Sequence, residues 1–132
     1  MKEVLDFLTE AKTFFLATAE GDQPRVRPFG FFMRYEGKLY LATSEPKPSF
    51  KQLQENPKFE LSAVNEKMEW LRLSGKAVFD THPDTRTHAF MVAPYLEEMY
   101  AGPDKPPLAL FYVEEGEATF CFLDGTAKTV KF

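Results

Sequence analysis

Thr13-Phe14-Phe15-Leu16-Ala17-Thr18-Ala19, followed at once by Glu20-Gly21-Asp22, is a short β-branched and aromatic run that ends in turn residues. It reads as a strand and a turn. Gln23 to Tyr35 continues as a second, longer strand, turned back at Glu36-Gly37-Lys38, and Leu39-Tyr40-Leu41-Ala42-Thr43 is a third. Connections this short leave no room for a crossover helix, so the three strands form an antiparallel meander.

The remaining chain extends that reading. Val4, Leu5, Leu8 and Ala11 follow helical spacing, which predicts a short amphipathic helix at the start. After Ser44-Glu45-Pro46-Lys47-Pro48 comes a helical segment, Ser49 to Glu55, with Phe50 and Leu53 facing inward and Asn56-Pro57 ending it. Lys58 to Val64 alternates Phe59, Leu61 and Ala63 against Glu60, Ser62 and Val64, a fourth strand, and Glu69 to Asp80 is a fifth. Thr81-His82-Pro83-Asp84 is a helix-start signal for a helix to Val92, closed by Ala93-Pro94. Tyr95 to Tyr100 forms another short helix and residues 101–107 a loop. The last strands are Leu108 to Val113 and Glu117 to Phe122, hinged at Glu115-Gly116, and the tail to Phe132 is polar. Six or seven short strands with short helices between them indicate a mainly β, closed or nearly closed antiparallel barrel in one domain, residues 1–132.

Composition narrows the function classes. The chain has 132 residues, 44% hydrophobic and 27% charged, the profile of a soluble globular domain. A net charge of −4 argues against a nucleic-acid partner, which needs an electropositive face. No apolar run approaches the ~18 residues that would span a bilayer, and the charged residues of Met1-Lys2-Glu3-Val4-Leu5-Asp6 do not suit a signal peptide, so a cytoplasmic location is expected. The single cysteine, Cys121, excludes an internal disulfide framework and reads as a buried inert thiol. Fourteen Phe residues spread along the chain leave aromatic area for an interface or a flat ligand.

The second strand breaks strand rules, because Pro28 and Gly30 interrupt what should be a well-paired run. Such residues mark a bulge, an edge, or a close backbone approach. Period-2 geometry puts Arg25 and Arg27 on one face, continuing into Phe29 and Phe31, which suits an anionic ligand with a flat ring. The same pattern also describes a solvated strand end. Thr43 to Lys51 runs from a strand end into a helix N-terminus, where free N–H groups and the helix dipole favour phosphate. Thr43, Ser44 and Ser49 add hydroxyls there, and Lys47 and Lys51 add charge, although an ordinary cap with solvated lysines fits as well. Trp70 shares a strand face with Arg72 and Ser74, the position of an interface or ligand residue or of packing beneath a loop. His82 reads as a capping or surface residue and His88 as structural, although it lies where it could line a pocket. No hydrolytic triad, zinc spacing or Gly-rich nucleotide fingerprint is present.

The strand Arg25 to Phe32, then Leu39 to Thr43, then Phe50 to Pro57, then Trp70-Leu71-Arg72-Leu73-Ser74-Gly75-Lys76-Ala77, resembles the pyridoxamine 5′-phosphate oxidase-like family over residues 4 to 122. The resemblance implies a six-stranded split barrel and a homodimer with FMN in clefts between the subunits. It places Arg25 at the FMN phosphate, the backbone of Val26, Arg27, Pro28 and Phe29 along the isoalloxazine edge, and Thr43 by the ring or ribityl chain. The family's phosphate stretch, commonly Ser-Arg-Lys, falls on Lys47-Pro48-Ser49, so phosphate binding leans on Lys47, Ser49, Arg25 and Lys51. Trp70 takes a cofactor-contact position from the second subunit. The chain lacks the C-terminal Trp- and Arg-bearing segment of the true vitamin B6 oxidases and therefore looks like a short relative. The expected function is an FMN-dependent oxidoreductase of unassigned small-molecule substrate. The competing readings are a non-catalytic flavin carrier or electron-transfer module, the same fold holding haem or a deazaflavin, and a structural dimer with a vestigial cleft.

Overall fold

The computed structural model describes residues 1–132, and its elements follow the polarity pattern closely. Helix α1 (Lys2–Ala11) turns Val4 and Leu8 inward. Strands β1 (Phe14–Glu20), β2 (Gln23–Phe29), β3 (Phe32–Tyr35) and β4 (Lys38–Ser44) form the first half of the chain, followed by α2 (Pro48–Glu55). Then come β5 (Lys58–Val64), β6 (Trp70–Asp80), α3 (Pro83–Val92), α4 (Pro94–Tyr100), β7 (Leu108–Cys121) and β8 (Ala127–Lys131).

There are thus eight strands where six were expected. The long second strand is divided at Gly30-Phe31 into β2 and β3, which pair with different partners, β1 and β4. The two expected last strands are one, because β7 continues through its hinge with Glu115 at φ 55°. The polar tail is β8, paired antiparallel along the second half of β7 and closed by mutual backbone bonds between Phe132 and Gly116. Alternation of Lys and apolar or small residues in Ala127-Lys128-Thr129-Val130-Lys131 is weak, so the tail carried little strand signal.

The strand order is β2-β1-β5-β6-β7-β4-β3, antiparallel throughout, with β8 beside β7. The two ends of this path are consecutive strands joined only by Gly30 and Phe31. Two residues cannot bridge the edges of an open seven-strand path, so the sheet must curl until those edges meet. They meet without pairing, which makes the barrel split.

Two cores follow from this curl. The barrel interior holds Phe14, Leu16, Leu41, Leu61, Leu73 and Phe111, all fully or nearly fully buried, together with Val4 and Leu8 of α1. Outside the barrel, α3 and α4 cover β3, β4 and β7 through Ala89, Leu96 and Tyr100 on Phe31, Met33 and Tyr40. No helix covers the outer face of β2, β1, β5 and β6. Phe15 (49% exposed), Val26 (68%), Val64 (47%) and Trp70 (38%) lie bare there. No helix is long and apolar enough to cross a membrane.

Candidate functional site: a cleft at the barrel seam

The split in the barrel opens a cleft of about 230 Å³. Arg27, Pro28, Phe29, Gly30 and Phe31 form one wall, Lys47 and Ser49 one end, and Tyr95, Leu96, Met99 and Tyr100 of α4 the facing wall. Nothing lies within 4 Å of where a Gly30 side chain would begin, so this backbone is open to close approach, as its interruption of the strand suggested. β2 pairs only with β1, and its other edge is unpaired.

Arg27 is the electrostatic centre of the cleft. Its Nη1 donates to the Leu16 carbonyl at 3.2 Å and to Thr18 Oγ1 at 2.8 Å, and its Nη2 donates to Gln52 Oε1 at 2.7 Å. No carboxylate pairs with it, and partial burial pulls its pKa below the usual guanidinium value. A half-buried cation without a counter-ion is costly. At the same end α2 begins at Lys47 with no side chain capping its N-terminus, and the Ser49 hydroxyl bonds to that of Thr43 at 2.6 Å. The cleft therefore presents two cations, a hydroxyl and an open helix N-terminus, and no acidic side chain lines it.

The expected site residues separate into groups. Arg27, Pro28, Phe29, Lys47 and Ser49 converge on the cleft. Thr43 and Ser44 are buried behind it, Thr43 holding Ser49. Arg25 stays outside: its Nη2 pairs with Glu20 at 2.9 Å, both side chains about half exposed. Val26 points to the bare outer face. Lys51 lines a neighbouring hollow with Glu20, Glu45 and Glu55, where acids outnumber the two lysines, and it sits 4.0 Å from Glu55. Trp70, at the β6 end beside Val64 and Cys121, is not part of the cleft within one chain.

Sequence reasoning missed Thr18, Gln52 and the α4 wall. Thr18 and Gln52 are polar residues at buried positions, a signal that could have been read only once α2 was known to lie on β1. His82 caps α3, its Nδ1 accepting from the Asp84 amide at 3.1 Å, and His88 stacks on Tyr35 at 4.6 Å rather than lining the cleft. Cys121 is half-exposed, not buried, because its strand position faces the less covered side of β7.

A second polar cluster lies on the far side of α2. Asp80 accepts from Tyr40 Oη at 2.7 Å, from Thr85 Oγ1 at 2.9 Å and from the His82 amide at 2.9 Å. Burial alone would raise the Asp80 pKa, but these donors outweigh it and leave the carboxyl below its usual range. Burial and the same bond push the Tyr40 phenol upward.

Residues 1–122 match the family described as pyridoxamine 5′-phosphate oxidase. The chain belongs to that family. The pyridoxamine 5′-phosphate oxidase fold recurs in solved structures over nearly its whole length. A NimC/NimA family protein of Clostridium acetobutylicum is 43% identical, with 100% of this chain and 92% of that one covered and a TM-score of 0.94. A pyridoxamine 5′-phosphate oxidase-related, FMN binding protein of Nostoc punctiforme is 14% identical, with 99% and 95% covered and a TM-score of 0.64. A heme binding protein of Mycobacterium smegmatis is 13% identical, with 95% and 55% covered and a TM-score of 0.73. The last two show the shared fold alone. No curated protein matches this chain.

Proposed function

We propose that this chain is an FMN-binding flavoprotein that works as a homodimer and catalyses an FMN-dependent oxidoreduction of a small molecule. The observation that carries the reading is Arg27, a half-buried guanidinium with no carboxylate partner, in a cleft that also holds Lys47 and no acid. That donor set fits a phosphate. Arg27 and Lys47 would supply charge, Ser49 and the start of α2 would supply N–H and O–H donors, and Arg25, tied to Glu20, would stay at the rim. Phe29, Phe31, Tyr95 and Met99 offer apolar walls for a ring, and the unpaired edge of β2 offers backbone groups. Membership of the family, which includes a relative described as FMN binding, supports the choice of flavin.

The size of the cleft supports the reading of a second subunit. Ligand pockets usually enclose about 300–1,000 Å³, and this cleft has about 230 Å³, so one chain leaves the ligand short of a wall. The bare face carrying Phe15, Val26, Val64 and Trp70 supplies an apolar surface for a partner copy, and Trp70 of that copy is a candidate cofactor contact. A bound flavin supplies the electron chemistry. The chain's own residues anchor the phosphate, exclude water with aromatic walls and orient the ring.

The test is to add FMN to purified protein, remove the excess by gel filtration, and record the absorption spectrum before and after adding NADH or NADPH. Flavin bands that stay with the protein and bleach on reduction support the reading. Protein that releases all FMN, or that takes up haem instead, overturns it. Retained flavin that no nicotinamide donor or acceptor turns over favours a carrier or electron-transfer module.

A further inference from the structure

Arg27 has five N–H donors in a planar fork, and the structure shows which of them are committed. Thr18 Oγ1 and Gln52 Oε1 lie 2.6 Å apart, joined by their own hydrogen bond. Arg27 Nη1 reaches the first at 2.8 Å and Nη2 the second at 2.7 Å, so the pair occupies the end of the guanidinium between its two terminal nitrogens. The Leu16 carbonyl takes the remaining Nη1 proton at 3.2 Å. The N–H of Nε and the second N–H of Nη2, which share the other edge of the plane, have no partner. Those two parallel donors form the fork that binds two oxygens of one oxyanion.

Gln52 is itself held. It is 5% exposed, and its Nε2 donates to Glu20 Oε2 at 3.3 Å while Glu20 Oε1 accepts from Arg25. The amide is therefore fixed with its oxygen toward Arg27. Thr18 is buried on the inner face of β1, opposite Arg25 in the β1–β2 register.

We infer that Thr18 and Gln52 are positioning residues: by occupying the end of the Arg27 guanidinium they fix its plane and turn its Nε–Nη2 edge to a bidentate oxyanion in the cleft. Neither residue touches that anion. The inference rests on the reading of the cleft as a phosphate site, and it adds that the affinity of Arg27 depends on two side chains outside the cleft. An arginine that must be ordered on binding loses rotamer entropy at that moment, whereas one already fixed does not.

The experiment titrates the cofactor-free protein with FMN and, separately, with riboflavin, which lacks the phosphate, following flavin fluorescence. Thr18→Val and Gln52→Leu are each expected to weaken FMN binding by about tenfold and to leave riboflavin binding unchanged. In an Arg27→Ala background either substitution should change FMN affinity by less than about twofold, because the positioned group is gone. Thr18→Ser, which keeps the hydroxyl, should restore wild-type affinity. Equal losses for FMN and riboflavin, or Gln52→Leu and Arg27→Ala effects that simply add, overturn the positioning role while leaving the phosphate site standing. An Arg27→Ala variant that binds FMN like wild type overturns the phosphate reading itself. If Gln52→Leu fails to fold, the Thr18→Val and Thr18→Ser pair decides the question alone.

Discussion

Replacing Phe15 tests the proposed dimer most directly. Phe15 lies at the centre of the bare face, between Pro28 of β2 and Ser62 of β5 in the register, and is 49% exposed. An aromatic side chain presents about 150–250 Å², so close to half of that, about 100 Å², awaits burial in each chain. At about 25 cal/mol per Å² this is ~2.5 kcal/mol per copy and ~5 kcal/mol for a two-fold pair. Truncation to Ala leaves part of the surface in contact and lets the partner relax, so about half of that figure is a reasonable expectation, ~2.5 kcal/mol or a dimer weaker by roughly seventyfold. The half of the ring that faces the sheet is not part of the barrel interior, so the fold should tolerate the change. Sedimentation velocity over a concentration series measures the dissociation constant for wild type, Phe15→Ala and Met91→Ala. Met91 is the control, 73% exposed on α3, the helix that covers β3, β4 and β7 rather than this face. A wild-type chain that stays monomeric at every concentration, or a Phe15→Ala dimer as tight as wild type, would falsify the interface argument.

Other perturbations give sharp contrasts. Lys47→Ala should weaken FMN by about tenfold, whereas Lys51→Ala, in a hollow where acids predominate, should change it less than about twofold; fluorescence titration distinguishes them. Asp80→Asn should cost about 1–3 kcal/mol at pH 7, since the carboxylate accepts three hydrogen bonds. The native Asp80 pKa lies below its unfolded value of about 3.9. Its contribution is therefore present above about pH 4 and lost as pH falls through the lower native value, so urea unfolding of the two proteins should converge in acid. Gly75→Ala would put a methyl 2.7 Å from Val113 Cγ1 and 3.2 Å from the Glu114 carbonyl, at the register shift between Ser74 and Lys76. It should destabilise the fold by about 1–3 kcal/mol, read as a lower urea midpoint.

The sequence by itself determined the elements whose polarity had a period. Strand β5 buries Phe59, Leu61 and Ala63 and exposes the residues between them, as alternation predicts. Helices α1 and α3 begin and end within a residue or two of their spacing and capping signals. The interruption at Pro28 and Gly30 also marked where the strand breaks: β2 and β3 part at Gly30-Phe31, and the cleft opens beside them. What the tertiary structure decided was which of several similar residues face that site. Arg25 and Arg27 carry the same charge on the same strand face. Only the docking of α2 on β1 brings Gln52 to Arg27 and leaves Arg25 to Glu20. Lys47 and Lys51 are one helical turn apart and both border the acidic hollow, yet only Lys47, at the start of α2, also reaches the cleft. Strand count followed the same logic. β8 has almost no pattern of its own and forms because β7 offers it an open edge and Gly116 leaves room for Phe132. Period and propensity act over neighbouring residues and can be read along the chain. Partner choice between like charges, and between a paired and an unpaired tail, depends on distances that exist only after the sheet has curled.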